Sequence, residues 1–129
     1  MKLKNFDHMV ITTQDLDACL HFYVDILGME HVEQNGRHAL RFGTQKFNIH
    51  TRKGEFQPAA QNVEYGSLDF CLIAEGDIHE IKEELLSKGC EIVEGVVERN
   101  GALGRMESVY VRDYDKNLIE ISVYKAEAK

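Results

Sequence analysis

Asn117-Leu118-Ile119-Glu120-Ile121-Ser122-Val123-Tyr124 alternates strictly enough to read as one strand, with Ile119, Ile121 and Val123 on one face and Glu120 and Ser122 on the other. A carboxylate between two isoleucines is either the water side of a half-solvated strand or part of a polar site. The other strands decide which. Upstream, residues 68–74 alternate Leu68, Phe70 and Leu72 against Asp69, Cys71 and Ile73. Residues 77–88 then carry Ile78, Ile81, Leu85 and Leu86 at helical spacing, ended by Gly89. Strands follow at 90–97 and 106–112, separated by a glycine-containing loop at 98–105, and a turn at 113–116 leads into the strand quoted above. The order is strand, helix, three strands.

The first half has the same order. Residues 6–12 place Met9 and Ile11 on one face and His8, Val10 and Thr12 on the other. A helical pattern opens at Asp15 and runs through Leu16, Cys19, Leu20, Tyr23, Ile26 and Leu27 to Gly28. Strands are expected at 29–34, 39–42 and 46–51, with Asn35-Gly36 as a hairpin turn and Phe47 and Ile49 facing away from Asn48 and His50. His8 lies 61 residues before Asp69, and Gly28 lies 61 before Gly89. This spacing marks an internal repeat. The expected fold is α+β: a single domain, 1–129, of tandem βαβββ repeats, about 5–51 and 67–124, forming a curved mixed sheet around a cleft. Polar residues 52–66, with the only proline, Pro58, read as a linker or a loop over a site, and 126–129 as a frayed tail.

An apolar fraction of 43% in 129 residues suffices for one or two modest cores. Fifteen basic residues against 22 acidic ones give a formal charge of -7, and the basic residues are scattered, which argues against nucleic acid as a partner. Cys19, Cys71 and Cys90 form no paired motif and read as reduced, mostly buried thiols. With no signal-like N-terminus and no long apolar run, the chain is expected to be cytoplasmic and free of membrane. Neither a glycine-rich phosphate loop nor a nucleophile motif is present.

The polar parities collect His8 on the first strand, Asn48 and His50 on the fourth, Asp69 on the fifth and Glu120 on the eighth. Imidazoles and carboxylates brought to one cleft suit a divalent ion such as Ni, Zn, Mn or Fe. Any one histidine on a strand is more often a satisfied or solvated residue, but agreement of four strands weakens that reading. His21 and His79 on helices, and His31 and His38 beside the hairpin, read as surface residues.

In Asp7-His8-Met9-Val10, in His21-Phe22-Tyr23 with Leu27-Gly28-Met29, and in Arg112-Asp113-Tyr114-Asp115-Lys116-Asn117-Leu118-Ile119-Glu120, the chain resembles the vicinal oxygen chelate superfamily. That group includes lactoylglutathione lyase, fosfomycin-inactivating thiol transferases and extradiol dioxygenases. The resemblance spans the whole chain and is closest to small glyoxalase-like proteins. It implies metal ligands from the first, fourth, fifth and eighth strands: His8, a fourth-strand residue, Asp69 and Glu120. Asn48 stands where the glyoxalase pattern has an acid or amide, with His50 two residues on, and Asp69 stands where that pattern has a histidine. Without Asp69, the set His8, His50 and Glu120 would equally suit Fe or Mn.

The leading expectation is a metal-dependent glyoxalase-type enzyme that acts on a small oxygen-chelating substrate through an enediolate, with Glu120 or Asp69 as base. The alternatives are an Fe-dependent dioxygenase and a non-enzymatic protein that sequesters a small molecule. Arg41, Ser108, Tyr110 and Arg112 share the polar parity and are expected to line the cleft and hold an anionic substrate. A homodimer is expected, each site combining His8 and the fourth-strand ligand of one subunit with Asp69 and Glu120 of the other.

Overall fold

The computed structural model describes residues 1–126, so the expected frayed tail falls, apart from Ala126, outside the described residues. The chain divides into two compact units, Met1–Gly66 and the part from Ser67 onward. Each carries a four-stranded mixed sheet in βαβββ order, as the repeat implied.

In the first unit, β1 (His8–Thr12) leads through α1 (Leu16–Leu20) to β2 (Glu30–Gln34), β3 (Arg37–Phe42) and β4 (Gln45–His50). The sheet order is β1-β4-β3-β2, with β1 parallel to β4 and the remaining pairs antiparallel. A parallel pair needs a long crossover, which the helical segment supplies. Asp15 starts that segment by accepting the Ala18 amide at 3.0 Å. Asn35 and Gly36, at φ of 54° and 75°, make the tight turn between β2 and β3. Ile11, Leu40, Phe47 and Ile49 are buried together with Cys19, Phe22 and Tyr23 from the helical segment. Burying such side chains contributes roughly 1.5–3 kcal/mol each before the cost of ordering the chain.

The expected helix through Leu27 needs one correction. After Leu20 the backbone winds as a π-helical turn over His21–Ile26, in which the Leu27 amide donates to the Phe22 carbonyl at 3.0 Å. The wider turn rotates Phe22 inward, where a period of 3.6 had left it out, and its ring meets Tyr23 edge-on at 4.9 Å.

In the second unit, β5 (Asp69–Ile73) and α2 (Ile78–Ser87) precede β6 (Glu94–Gly101), β7 (Gly104–Arg112) and β8 (Leu118–Tyr124), in sheet order β5-β8-β7-β6. Asp77 caps α2 by accepting the amides of His79 and Glu80 at 2.8 and 3.2 Å. Ile78, Leu85, Val109, Val111, Ile119 and Ile121 make the core. The expected loop at 98–105 is instead a continuous hairpin that turns at Ala102 and Leu103, while 90–93 lie outside the strand. A bulge between Gly95 and Val97 shifts the register of β6 against β7. Alternation counted across it therefore changes face.

The turn before β8 is held by a fully buried Asn117. Its side-chain carbonyl accepts the Leu68 amide at 2.9 Å, and its amide nitrogen donates to Asp113 at 2.8 Å. This ties the start of β8 to the start of β5, so the spacing of Asp113 and Asn117 is a structural device. Cys19 and Cys90 are buried as expected, whereas Cys71 is exposed. Among the described residues, no helix is long and apolar enough to cross a membrane.

Candidate metal and substrate site

Glu120 stands on the sheet face opposite the core, as the alternation requires. Cys71 is its register partner on β5 and Tyr110 its partner on β7. Its Oε2 accepts from Ser108 at 2.7 Å and from Ser122 at 3.2 Å, and the two serine hydroxyls are 2.6 Å apart. Both serines are 0% exposed. Ser108, expected to hold an anionic substrate, is buried and donates to Glu120, so its hydroxyl orients that carboxylate from within the protein. The Cys71 thiol lies 3.2 Å from the Ser122 hydroxyl. Although Cys71 is exposed as a residue, the part-buried position of its thiol against Ser122 pushes its pKa up, the Ser122 bond opposes the rise and the Glu120 charge adds to it, so Cys71 is not an activated nucleophile.

Tyr110 shares the Glu120 face and accepts a hydrogen bond from Arg99 Nε at 3.0 Å. That bond raises the Arg99 pKa, and Glu94 and Glu120 contribute more weakly. Arg99 was missed because it sits in the segment read as loop. Asp69 is exposed at the start of β5, opposite Leu118 and thus two residues along the sheet from Glu120's partner. Diagonal neighbours of this kind lie roughly 7–8 Å apart at their α-carbons, within joint reach of two acidic side chains. Arg112 reaches back to the Lys116 carbonyl at 3.2 Å, which occupies it at the turn.

In the first unit, His8 opens β1 with its side chain 47% exposed and its Nδ1 2.7 Å from Asp7 Oδ1. The hydrogen bond from His8, and next the attraction of that ring when it is protonated, hold the Asp7 carboxyl below its usual range. An imidazole that gives its Nδ1 proton to a carboxylate presents Nε2 as a lone-pair donor. Asp7 lies in the quoted motif, but its role becomes visible only in this bond.

The register of β1 with β4 bears on the two fourth-strand candidates. His8 is opposite Lys46, Val10 opposite Asn48, and Thr12 opposite His50. Four residues along a strand amount to about 13 Å, so His8 and His50 do not share one ion on one copy of this sheet. Asn48 is the counterpart of Glu120, since each faces the residue two beyond the repeat-related His8 or Asp69.

His50 instead lines a concavity of about 730 Å³ on this unit, with Asn48, Lys46, Arg37 and Phe56 among its walls. The Phe56 ring comes from the polar loop after β4, stands edge-on to His50 at 5.2 Å and carries the Arg37 guanidinium 4.1 Å above its centre. Arg41, the expected anion holder, borders a smaller concavity of about 200 Å³ with Asp7 and Lys46. Sequence reading passed over Arg37 and Phe56, although Arg37 shares strand parity with Arg41.

Burial pushes the His50 pKa below its usual 6.5; Glu55 opposes the shift and Arg37 adds to it. The unfolded chain then takes up this proton at a higher pH than the folded one does. Stability from this group is full above 6.5 and is lost as pH falls through the folded value. Urea midpoints measured across this range should fall with pH more steeply in the wild type than in His50→Gln, and equal slopes would refute the assignment.

Among the described residues, one group of metal-ligating side chains has its donor atoms all within 4.8 Å of one another: His31, Glu33 and His38. The expectation that His31 and His38 are plain surface residues fails for His38, whose side chain is only 17% exposed.

Residues 5–121 match the family model described as the Glyoxalase/Bleomycin resistance protein/Dioxygenase superfamily. Virulence protein STM3117 of Salmonella typhimurium is 44% identical over 125 residues, which cover 96% of this chain and 87% of that protein. Its crystal structure aligns with a TM-score of 0.94 over 97% of this chain and 100% of that one. Glyoxalase domain-containing protein RDO1 of Mycosarcoma maydis is 43% identical over 126 residues, 97% of this chain and 71% of the relative. Lactoylglutathione lyase from Agrobacterium tumefaciens shares the fold, with a TM-score of 0.74 at 22% identity over 95% and 96% of the two chains. The chain belongs to the Glyoxalase/Bleomycin resistance protein/Dioxygenase superfamily, the group its sequence motifs resembled.

Proposed function

We propose that the protein is a metal-dependent enzyme of the glyoxalase type, with His8 and Glu120 as metal ligands. The observation that carries this reading is the Glu120 carboxylate, whose Oε2 is fixed by two buried hydroxyls. Among the described residues no partner engages its Oε1, so that oxygen is free to act as a donor. The donor chemistry fits a divalent ion such as Ni, Zn, Mn or Fe, since His8 is likewise oriented by Asp7 through Nδ1. When bound, such an ion would polarise neighbouring oxygens of a small substrate and favour loss of the adjacent carbon-bound proton.

Glu120 or Asp69 is the acceptor for that proton, and the Ser108 and Ser122 hydroxyls hold the Glu120 oxygen that is not the donor. Arg37, laid flat on Phe56, offers a guanidinium to an anionic substrate group, and His50 stays neutral beside it at pH 7. An Fe-dependent dioxygenase is less well supported, because the second imidazole its ligand set would use, His50, lies too far along the sheet from His8.

The test is turnover of the hemithioacetal isomeric with lactoylglutathione, followed together with solvent deuterium uptake at the reacting carbon. Ion-loaded protein should catalyse exchange, and a chelator should abolish it. Equal exchange with and without metal would reject the metal-dependent mechanism. Tight binding without exchange would favour sequestration.

A further inference from the structure

We infer that the β2–β3 hairpin carries a separate metal site, formed by His31, Glu33 and His38, that takes a nitrogen-preferring divalent ion such as Zn, Ni or Cu. The hairpin register places Glu33 directly opposite His38 and His31 opposite Leu40, so all three side chains leave one face of a two-stranded ribbon. The tight turn at Asn35 and Gly36 fixes that register. β2 is the edge strand of its sheet, which leaves the group open to solvent on one side.

The distances match a coordination shell. His31 Nε2 and His38 Nδ1 are 2.9 Å apart, and a Glu33 oxygen lies 3.7 Å from His38 Nδ1. Two bonds of about 2.0–2.1 Å from imidazole nitrogens to one ion put the nitrogens about 2.9 Å apart at a right angle and about 3.4 Å apart at a tetrahedral one. The rings are within 16° of parallel with centres 5.2 Å apart, so they meet nitrogen to nitrogen, edge to edge, and are not stacked face to face. Without an ion, one of these facing nitrogens donates to the other. On binding, the donating ring shifts its proton to its second nitrogen, and the two rings, which face each other nitrogen to nitrogen, each turn by roughly 35–45° so that both lone pairs meet the ion off the nitrogen–nitrogen line. Two imidazoles and one carboxylate leave at least one position for water.

This site is independent of the one proposed at His8 and Glu120, and the experiment separates them. The background is the full chain with His8→Ala and Glu120→Gln, titrated with Zn(II) by calorimetry and with Cu(II) by electron paramagnetic resonance. It should still bind one equivalent, with two nitrogen couplings on copper. Adding His31→Ala or His38→Ala should weaken binding by more than about tenfold and remove a nitrogen coupling. Glu33→Gln preserves size and should weaken zinc with both couplings kept, which guards against a mere folding defect. A background that binds no ion, or one whose affinity is unchanged by all three substitutions, overturns the site and shows a hairpin hydrogen bond only.

Discussion

Glu120→Gln is expected to bind no ion at the proposed catalytic site and to lose turnover by at least about 100-fold, while staying folded. The amide keeps the shape, and its oxygen can still accept from Ser108 and Ser122 as the carboxylate does. What it loses is the charge and the second oxygen. The thermal midpoint should therefore move little while metal content and activity collapse together. If Glu120 served only to satisfy the buried serines, the outcome would be the reverse, with stability changed and metal retained. Ser108→Ala separates the roles further: it leaves both carboxylate oxygens in place but removes the 2.7 Å bond that aims one of them. Turnover should fall about tenfold with substrate binding nearly unchanged. A protein that holds its full complement of metal after Glu120→Gln would end the assignment.

The largest loss of stability is expected from Gly95→Ala, at roughly 3–5 kcal/mol from backbone strain and overpacking together. Gly95 sits at φ of 126°, and a β-carbon there would stand 2.6 Å from the Ser108 carbonyl oxygen and 2.8 Å from Val109 Cα. Both are backbone atoms of the paired strand, so no side chain can swing aside to relieve the clash. Movement of β7 would also carry Ser108 away from Glu120 and join a folding defect to a catalytic one. Urea denaturation should show a lower midpoint at unchanged slope. A change under about 1 kcal/mol would mean that the bulge is more yielding than its close approach implies.

Much of this was legible because strand alternation is strict where a sheet has one buried and one open face. Met9 and Ile11 against His8, and Ile119 and Ile121 against Glu120, could be read without any partner strand. What alternation cannot supply is register, since that depends on which distant residue lies alongside. The choice between Asn48 and His50 was therefore open in the sequence, and the pairing of β1 with β4 resolves how far each lies from His8. Arg99 was hidden because 98–105 reads as a glycine-containing loop, whereas pairing with β7 makes it a strand and sets Arg99 opposite Met106 on the Tyr110 face. Phe22 was lost to a turn wider than 3.6 residues, which no local pattern announces. The His31, Glu33 and His38 group could have been found. A two-residue Asn-Gly turn dictates that Glu33 faces His38, and counting outward from it gives the cluster directly.

Metal content tests the central claim most directly, provided the hairpin imidazoles are first removed. The chain with His31→Asn and His38→Asn, loaded with Ni(II) or Zn(II), passed through a desalting column and assayed by elemental analysis, should hold one ion per catalytic site. Adding His8→Ala or Glu120→Gln to the same chain should bring that content to zero with the circular dichroism spectrum unchanged. If the hairpin variant itself retains no ion under saturating metal, or retains it equally after His8 and Glu120 are replaced, the protein is not a metal enzyme built on these two residues.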